Sequence, residues 1–96
     1  MMNVQSTSIS SSSLQQNIPN PFNHTTTINY ILPQQYSSAK IIVTDKNGKV
    51  LKEENLSAKG KGSITLNASA LSSGVYQYFL YIDGKLIDTK QMVLTK

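Results

Sequence analysis

The sequence predicts an all-β domain, a two-sheet antiparallel sandwich of about seven strands. Three observations carry this reading. From Thr26 onward apolar residues recur with a period of two, turn residues interrupt those runs at spacings of roughly 8–12 residues, and no stretch has the pattern of an amphipathic helix. A small barrel is the alternative that the same pattern permits.

The first segment lies around Ile18 to Phe22, within NIPNPFNHT. Along an extended strand successive N–H groups alternate sides, so Pro19 and Pro21 remove donors from one edge while Ile18, Asn20 and Phe22 keep theirs on the other. A residue before proline is also pushed toward extended geometry. The expectation is a one-sided edge strand anchored by Phe22, resistant to pairing with other chains.

Next, TTINYIL places Ile28, Tyr30 and Leu32 on one side, and Pro33 stops the run. AKIIVT, Ala39 to Thr44, is apolar on both faces and reads as an interior strand. It is joined to VLKEEN, Val50 to Asn55, by DKNGK, in which Asp45 can bond the turn and Gly48 can take a left-handed position. SITLN, Ser63 to Asn67, follows the glycine-rich AKGKG; ASALSSG reads as a tight corner closed by Gly74. VYQYFLYI, Val75 to Ile82, then forms a hairpin with KLIDTKQMVL through Asp83-Gly84. The core expected from these phases is Phe22, Ile28, Tyr30, Leu32, Ile41, Val43, Leu51, Ile64, Leu66, Leu71, Val75, Phe79, Leu86 and Val93.

A chain of 96 residues has room for one domain with one core. MMNVQSTSISSSS is polar and low in complexity, so residues 1–13 read as a linker or the end of a preceding protein, and residues 14–96 as the sandwich. That start lacks a cationic n-region and an apolar h-region, so if the domain is exported, a longer parent protein must supply the signal. There is no cysteine, hence no disulfide frame or thiolate metal site. The net charge is +4, yet all the basic residues are scattered lysines; without arginine forks or a basic stripe, nucleic-acid binding is not expected. The longest apolar run is far below the roughly 18 residues of a membrane span.

Little here supports catalysis. His24 stands between Asn23 and Thr25 with no carboxylate near in sequence, which reads as a surface loop histidine. Glu53 and Glu54 are adjacent, and strand neighbours point to opposite faces, so they cannot act as paired carboxylates. Asp83 reads as a turn former and Asp88 as a solvent-facing strand residue. A calcium loop laid over Asp45 to Glu54 would put Val43 at its first ligand position, so the hairpin reading prevails. The glycines of AKGKG lack the strand-then-helix setting of a phosphate loop. Three Asn-x-Ser/Thr sequons, at Asn23, Asn55 and Asn67, are weak signals in so Ser- and Thr-rich a chain. The five tyrosines could line a sugar-stacking platform, although Tyr76 and Tyr78 at strand spacing read better as core and cross-strand packing. No cofactor or metal is implied.

Several pieces occur in a fixed order: LQQNIPNPFN, TTTINYILP, IIVTDKNGKVL, LNASALSSGVYQYFLYIDGK and KQMVLTK. Together, from Leu14 to Lys96, they closely resemble the C-terminal sorting domain, type A, of proteins exported by the type IX (Por) secretion system of Bacteroidetes-type bacteria. The resemblance implies an immunoglobulin-like fold and a secretion signal rather than an enzyme. It also assigns Pro19, Pro21 and Phe22 to an opening motif and Gly48 and Lys49 to the central hairpin motif. Gly74, Val75 and Tyr76 fall in a turn-into-strand motif, and Lys90, Met92, Val93, Leu94 and Lys96 in the terminal one. The implied partners are a covalently linked N-terminal cargo, the type IX translocon with its outer-membrane shuttle protein, and a sortase-like signal peptidase that can attach the cargo to lipopolysaccharide. The implied route runs through the periplasm to the cell surface or beyond. Two departures stand out: Ile18 replaces a frequent aromatic, and the loop after Leu56 is short and lysine-rich.

On this reading KQMVLTK is an open edge for strand addition, with Lys90 and Lys96 supplying charge and Met92 or Leu94 filling a receptor's apolar pockets. The competing class is an immunoglobulin-like adhesion or carbohydrate-binding module with exposed tyrosines, and a plain spacer is a third.

Overall fold

Period-two patterning becomes seven strands in the computed structural model, which describes residues 12–96. They are β1 (Ser13–Leu14), β2 (Thr25–Leu32), β3 (Ala39–Asp45), β4 (Val50–Leu56), β5 (Gly60–Asn67), β6 (Gly74–Ile82) and β7 (Lys85–Leu94). Two antiparallel sheets form, one of order β1-β2-β5 and one of order β4-β3-β6-β7. This is the immunoglobulin-like arrangement with one change: β4 pairs with β3, whereas in the constant-type domain the fourth strand pairs with the fifth.

Both hairpins close through the chemistry their sequences carry. The Asp45 carboxylate accepts from the amides of Asn47 and Lys49, both at 2.9 Å, and Gly48 takes φ 89°. Both bonds fall on Oδ1, which ties the carboxylate to the turn and closes the hairpin. At the other hairpin Asp83 and Gly84 have φ 52° and 80°, the pair of positive values a two-residue type I′ turn needs. Asp83 also accepts from the amides of Ser37 and Ser38, fastening the β2–β3 loop to this end.

The core runs between the sheets and is built from β2 (Ile28, Tyr30, Leu32), β3 (Ile41, Val43), β6 (Tyr76, Tyr78, Leu80, Ile82) and β7 (Met92, Leu94), with Leu14 and Phe22 from the N-terminal segment. In β6 the expected phase is therefore reversed: Val75 is 38% exposed and Phe79 half-buried, while the tyrosines at 76 and 78 point inward. Leu51 and Leu86 are also at the surface rather than in the core, and Val93 is half-buried. Two register breaks explain the leucines. In β4, Val43 faces Lys52 and Thr44 faces Val50, leaving Leu51 as the extra residue of a bulge; in β7, Leu80 faces Asp88 and Tyr81 faces Leu86, leaving Ile87 extra.

The opening segment also departs from expectation. Residues 18–22 are not a strand; bends at 19–21 separate two single bridges, Ile18 with Thr27 of β2 and Phe22 with Leu94 of β7. Both X-Pro bonds are cis. Of the residues expected to form a linker, 1–11 lie outside the described residues, and Ser13 belongs to β1.

One glycine is held by packing rather than by a turn. Gly62 lies across from Tyr30, and a Cβ there would sit 2.6 Å from the tyrosine ring. Gly62→Ala is expected to cost about 1–3 kcal/mol by overpacking, read as a lower denaturant midpoint at unchanged slope. In a Tyr30→Leu background the same alanine should cost little.

Candidate functional site

Residues 13–22 form a strap that runs antiparallel to β2 on one side and along the free edge of β7 on the other. Toward β2, Ser13 and Leu14 pair with Ile31 and Tyr30, the Gln15 amide donates to the Asn29 carbonyl, and Ile18 and Thr27 exchange both bonds. Toward β7, the Leu14 amide donates to Asp88 Oδ2 at 2.9 Å, Gln16 Nε2 to the Gln91 carbonyl and the Phe22 amide to the Val93 carbonyl. In return the Val93 amide donates to Asn20 Oδ1 and the Thr95 amide to the Phe22 carbonyl. The prolines stand where the strap leaves one sheet and joins the other, a stretch in which neither ladder requires an N–H.

A buried polar cluster holds the strap from beneath. Tyr78 of β6, fully buried, accepts from the Asn17 amide at 2.9 Å and donates to the Gln15 carbonyl at 2.7 Å. Asn17, itself buried, donates through Nδ2 to Thr26 Oγ1 and to the Pro19 carbonyl, which also accepts from Thr26 Oγ1. Burial pushes the Tyr78 hydroxyl up to about 12, with the bond from Asn17 opposing the rise and the negative charge of Asp88 adding to it. Burial, and then the neighbouring Tyr36 and Glu54, likewise raises Tyr30.

The strap brings together residues far apart in sequence. Phe22 meets Leu94, and Gly74, Val75 and Tyr76 pair with Leu94, Val93 and Met92. Tyr76 lies across from Asp45, so the turn with Gly48 and Lys49 adjoins Ser73 and Gly74 in one shallow groove. The Lys96 amide donates to Ser73 Oγ. All the sequence-assigned motifs thus reach one end of the sandwich; only Lys90, across from Tyr78, sits midway along β7.

They divide by depth. Pro19, Pro21, Gly48, Lys49, Gly74, Val75 and Lys96 are exposed, whereas Phe22, Tyr76, Met92 and Leu94 are buried. Met92 and Leu94 therefore fill the domain's own core and cannot fill a receptor's pockets. The edge of KQMVLTK is not open either, because the strap occupies it. Asp88, expected to be solvent-facing, is half-buried and caps the Leu14 amide. His24 is exposed, with Asn23 Oδ1 at 2.9 Å from its Nδ1. Glu53 pairs with Lys40 at 2.9 Å and Glu54 with Lys52 at 3.5 Å. Tyr30, Tyr76 and Tyr78 are all buried, which removes them from any sugar platform. Among the described residues no group of His, Cys, Asp or Glu stands close enough to hold a metal, and no helix is long and apolar enough to cross a membrane.

The short motifs are gathered at one end of a sandwich whose N-terminal strap is held by a buried Tyr78–Asn17–Thr26 cluster. The sequence matches the secretion system C-terminal sorting domain over residues 16–95, and the chain belongs to that family. The family comprises the type IX secretion signals of Bacteroidetes-type bacteria, which mark proteins for export; it is a family of sorting signals. No curated protein matches the chain. Among solved structures it is similar to the CARDB domain of a Pyrococcus furiosus protein, determined in complex with di-metal ions. Identity is 13% over 88% of this chain and 85% of that one, with a TM-score of 0.47.

Tyr78→Phe tests the cluster beneath the strap. Losing the hydroxyl strands the Asn17 amide and should cost about 1–3 kcal/mol at neutral pH. A tyrosine that ionises near 10 in the unfolded chain and near 12 in the fold contributes stability that is present below pH 10 and lost as pH rises toward 12. The wild type should accordingly weaken across that window in pH-dependent denaturant melts, and Tyr78→Phe should weaken less steeply.

Proposed function

We propose that the domain is a folded address label, read by the type IX translocon and its outer-membrane shuttle protein at the end where its motifs converge. A sortase-like peptidase then removes it, with the option of attaching the covalently linked N-terminal cargo to lipopolysaccharide. The route is through the periplasm to the cell surface or the medium. The observation that carries this reading is the convergence itself. Motifs from the start, middle and end of the sequence share one end, and their exposed members, Pro19, Pro21, Gly48, Lys49, Gly74, Val75 and Lys96, are what a receptor can touch there.

The opposite end receives the incoming chain. Ser13 pairs with Ile31, near the β2–β3 loop and the Asp83-Gly84 turn, so the chain enters about 30 Å from the motif end, judged from the rise of the nine-residue β6. Cargo joined at that end leaves the receptor-facing end clear. The same geometry bears on cleavage. From Ser13 to Phe22 the chain is bonded to both sheets, with Leu14 and Asn17 buried, so a peptidase that needs an extended, accessible strand must cut before Ser13.

Residues 1–96 fused behind a periplasmic reporter in a type IX-competent strain provide the test. Lys49→Glu combined with Val75→Ser should leave folding intact and lower export about tenfold or more, equivalent to about 1.4 kcal/mol of recognition. Lys85→Glu with Leu86→Ser, at the opposite end, should leave export unchanged. Mass spectrometry of the trimmed tag should find Ser13 retained. Equal losses from both ends, or a tag beginning within residues 14–22, would contradict the reading.

A further inference from the structure

The sandwich has four strand edges that could pair with another chain, and three of them are guarded. β1 is the start of the strap and turns its Leu14 amide to Asp88 of β7, and the rest of the strap covers the β7 edge. β4 starts with a bulge and carries Lys52, Glu53 and Glu54 in succession, two devices that discourage edge pairing. β5 has neither. Its eight residues, GKGSITLN, pair with β2 without a register break, and they include no proline and one lysine.

The bonding direction of β5 follows from its neighbours. The Ala68 amide donates to the His24 carbonyl, so residue 68 and the even positions of β5 point their main-chain groups toward β2. Thr27 confirms the phase from the other side, since it exchanges bonds with Ile18 of the strap. The N–H and C=O groups of Lys61, Ser63, Thr65 and Asn67 therefore point outward, away from the sheet. Among the described residues none of them has a main-chain or side-chain partner.

We propose that β5 is a self-association edge that pairs antiparallel with β5 of a second copy, joining two three-stranded sheets into one. The register with a two-fold axis at Ile64 matches the sequence best. It sets Lys61 opposite Asn67 and Ser63 opposite Thr65, so that every outward group is paired, in about eight hydrogen bonds. Ile64, half-buried at the edge, meets its own copy in the non-hydrogen-bonded site, where side chains approach most closely. The two Lys61 residues lie about six residues apart along the strand, roughly 20 Å, beyond the roughly 10 Å screening length at 0.1 M salt. The +4 charge of each chain is thus not focused on the junction. A second copy suits this edge better than a foreign peptide, because the strand supplies its own complement with no like-charge pair in contact.

An eight-residue edge makes a small interface, so association belongs in roughly the micromolar to millimolar range. Sedimentation equilibrium of the full chain should show a mass rising from 10.6 kDa toward twice that value as concentration increases. Ser63→Lys with Thr65→Lys sets lysine against lysine only in the dimer and should hold the chain monomeric. Thr65→Pro removes one outward N–H, leaves the β2 ladder untouched and should do the same. Circular dichroism and thermal melts like those of the wild type establish that both variants fold. A wild type that stays monomeric through about 1 mM, or a dimer that survives in whichever of these variants folds, would overturn the proposal.

Discussion

The arrangement depends on one hydroxyl. Tyr78 sits at the centre of β6 with nothing of it exposed, and its oxygen bonds both Asn17 and Gln15. A phenol buried without partners would cost several kcal/mol; the strap supplies those partners, and the phenol in turn fixes where the strap lies. Asn17, Thr26 and the Pro19 carbonyl extend the network outward, so that within this cluster the buried polar groups satisfy one another. The charge on Asp88 adds a tie at the other end of the strap through the Leu14 amide.

With the strap in place, two consequences follow. The side of the sandwich between β2 and β7 is closed, which removes two edges from unwanted pairing. Phe22 is also delivered to the end of β7, where its main chain brackets Val93 and Thr95 and its side chain enters the core beside Leu94. A sorting signal read as a surface needs its parts held in register before the receptor is met. Here Phe22, Tyr76, Met92 and Leu94 are buried and set the register, while Gly48 and Lys49 lie in an exposed turn held by Asp45. Buried and exposed positions thus adjoin in sequence, as with buried Tyr76 beside exposed Val75.

Much of this was legible in the sequence. The long strands, their order, the Asp45 turn and the Asp83-Gly84 hairpin follow from alternation and turn chemistry, which are local. The phase of β6 was not, because VYQYFLYI is large and apolar on both faces; Gln77 was the one clue, since it shares its face with Val75 and Phe79 and marks that face as the outer one. Bulges hid the fate of Leu51 and Leu86, since an extra residue inverts the alternation without altering composition. The missing donors of Pro19 and Pro21 suggested a one-sided edge strand, which the structure does not form: Ile18 bonds β2 and Phe22 bonds β7, with bends between them. The prolines' actual setting, a crossing from one sheet to the other, depends on Asn17, Tyr78 and Asn20, partners far away in the chain. The terminal motif showed the same limit: KQMVLTK reads as a free edge until the strap is laid against it.

Amide hydrogen exchange tests the central claim, that the strap is part of the folded sandwich and seals the β7 edge. The amides of Asn17, Phe22, Val93 and Thr95 should be protected and should open together with the interior amides of β6, as one cooperative unit. If those four exchange at the rate of an open chain while β6 stays protected, the strap is a loose tail, and the convergence of motifs at one end does not hold.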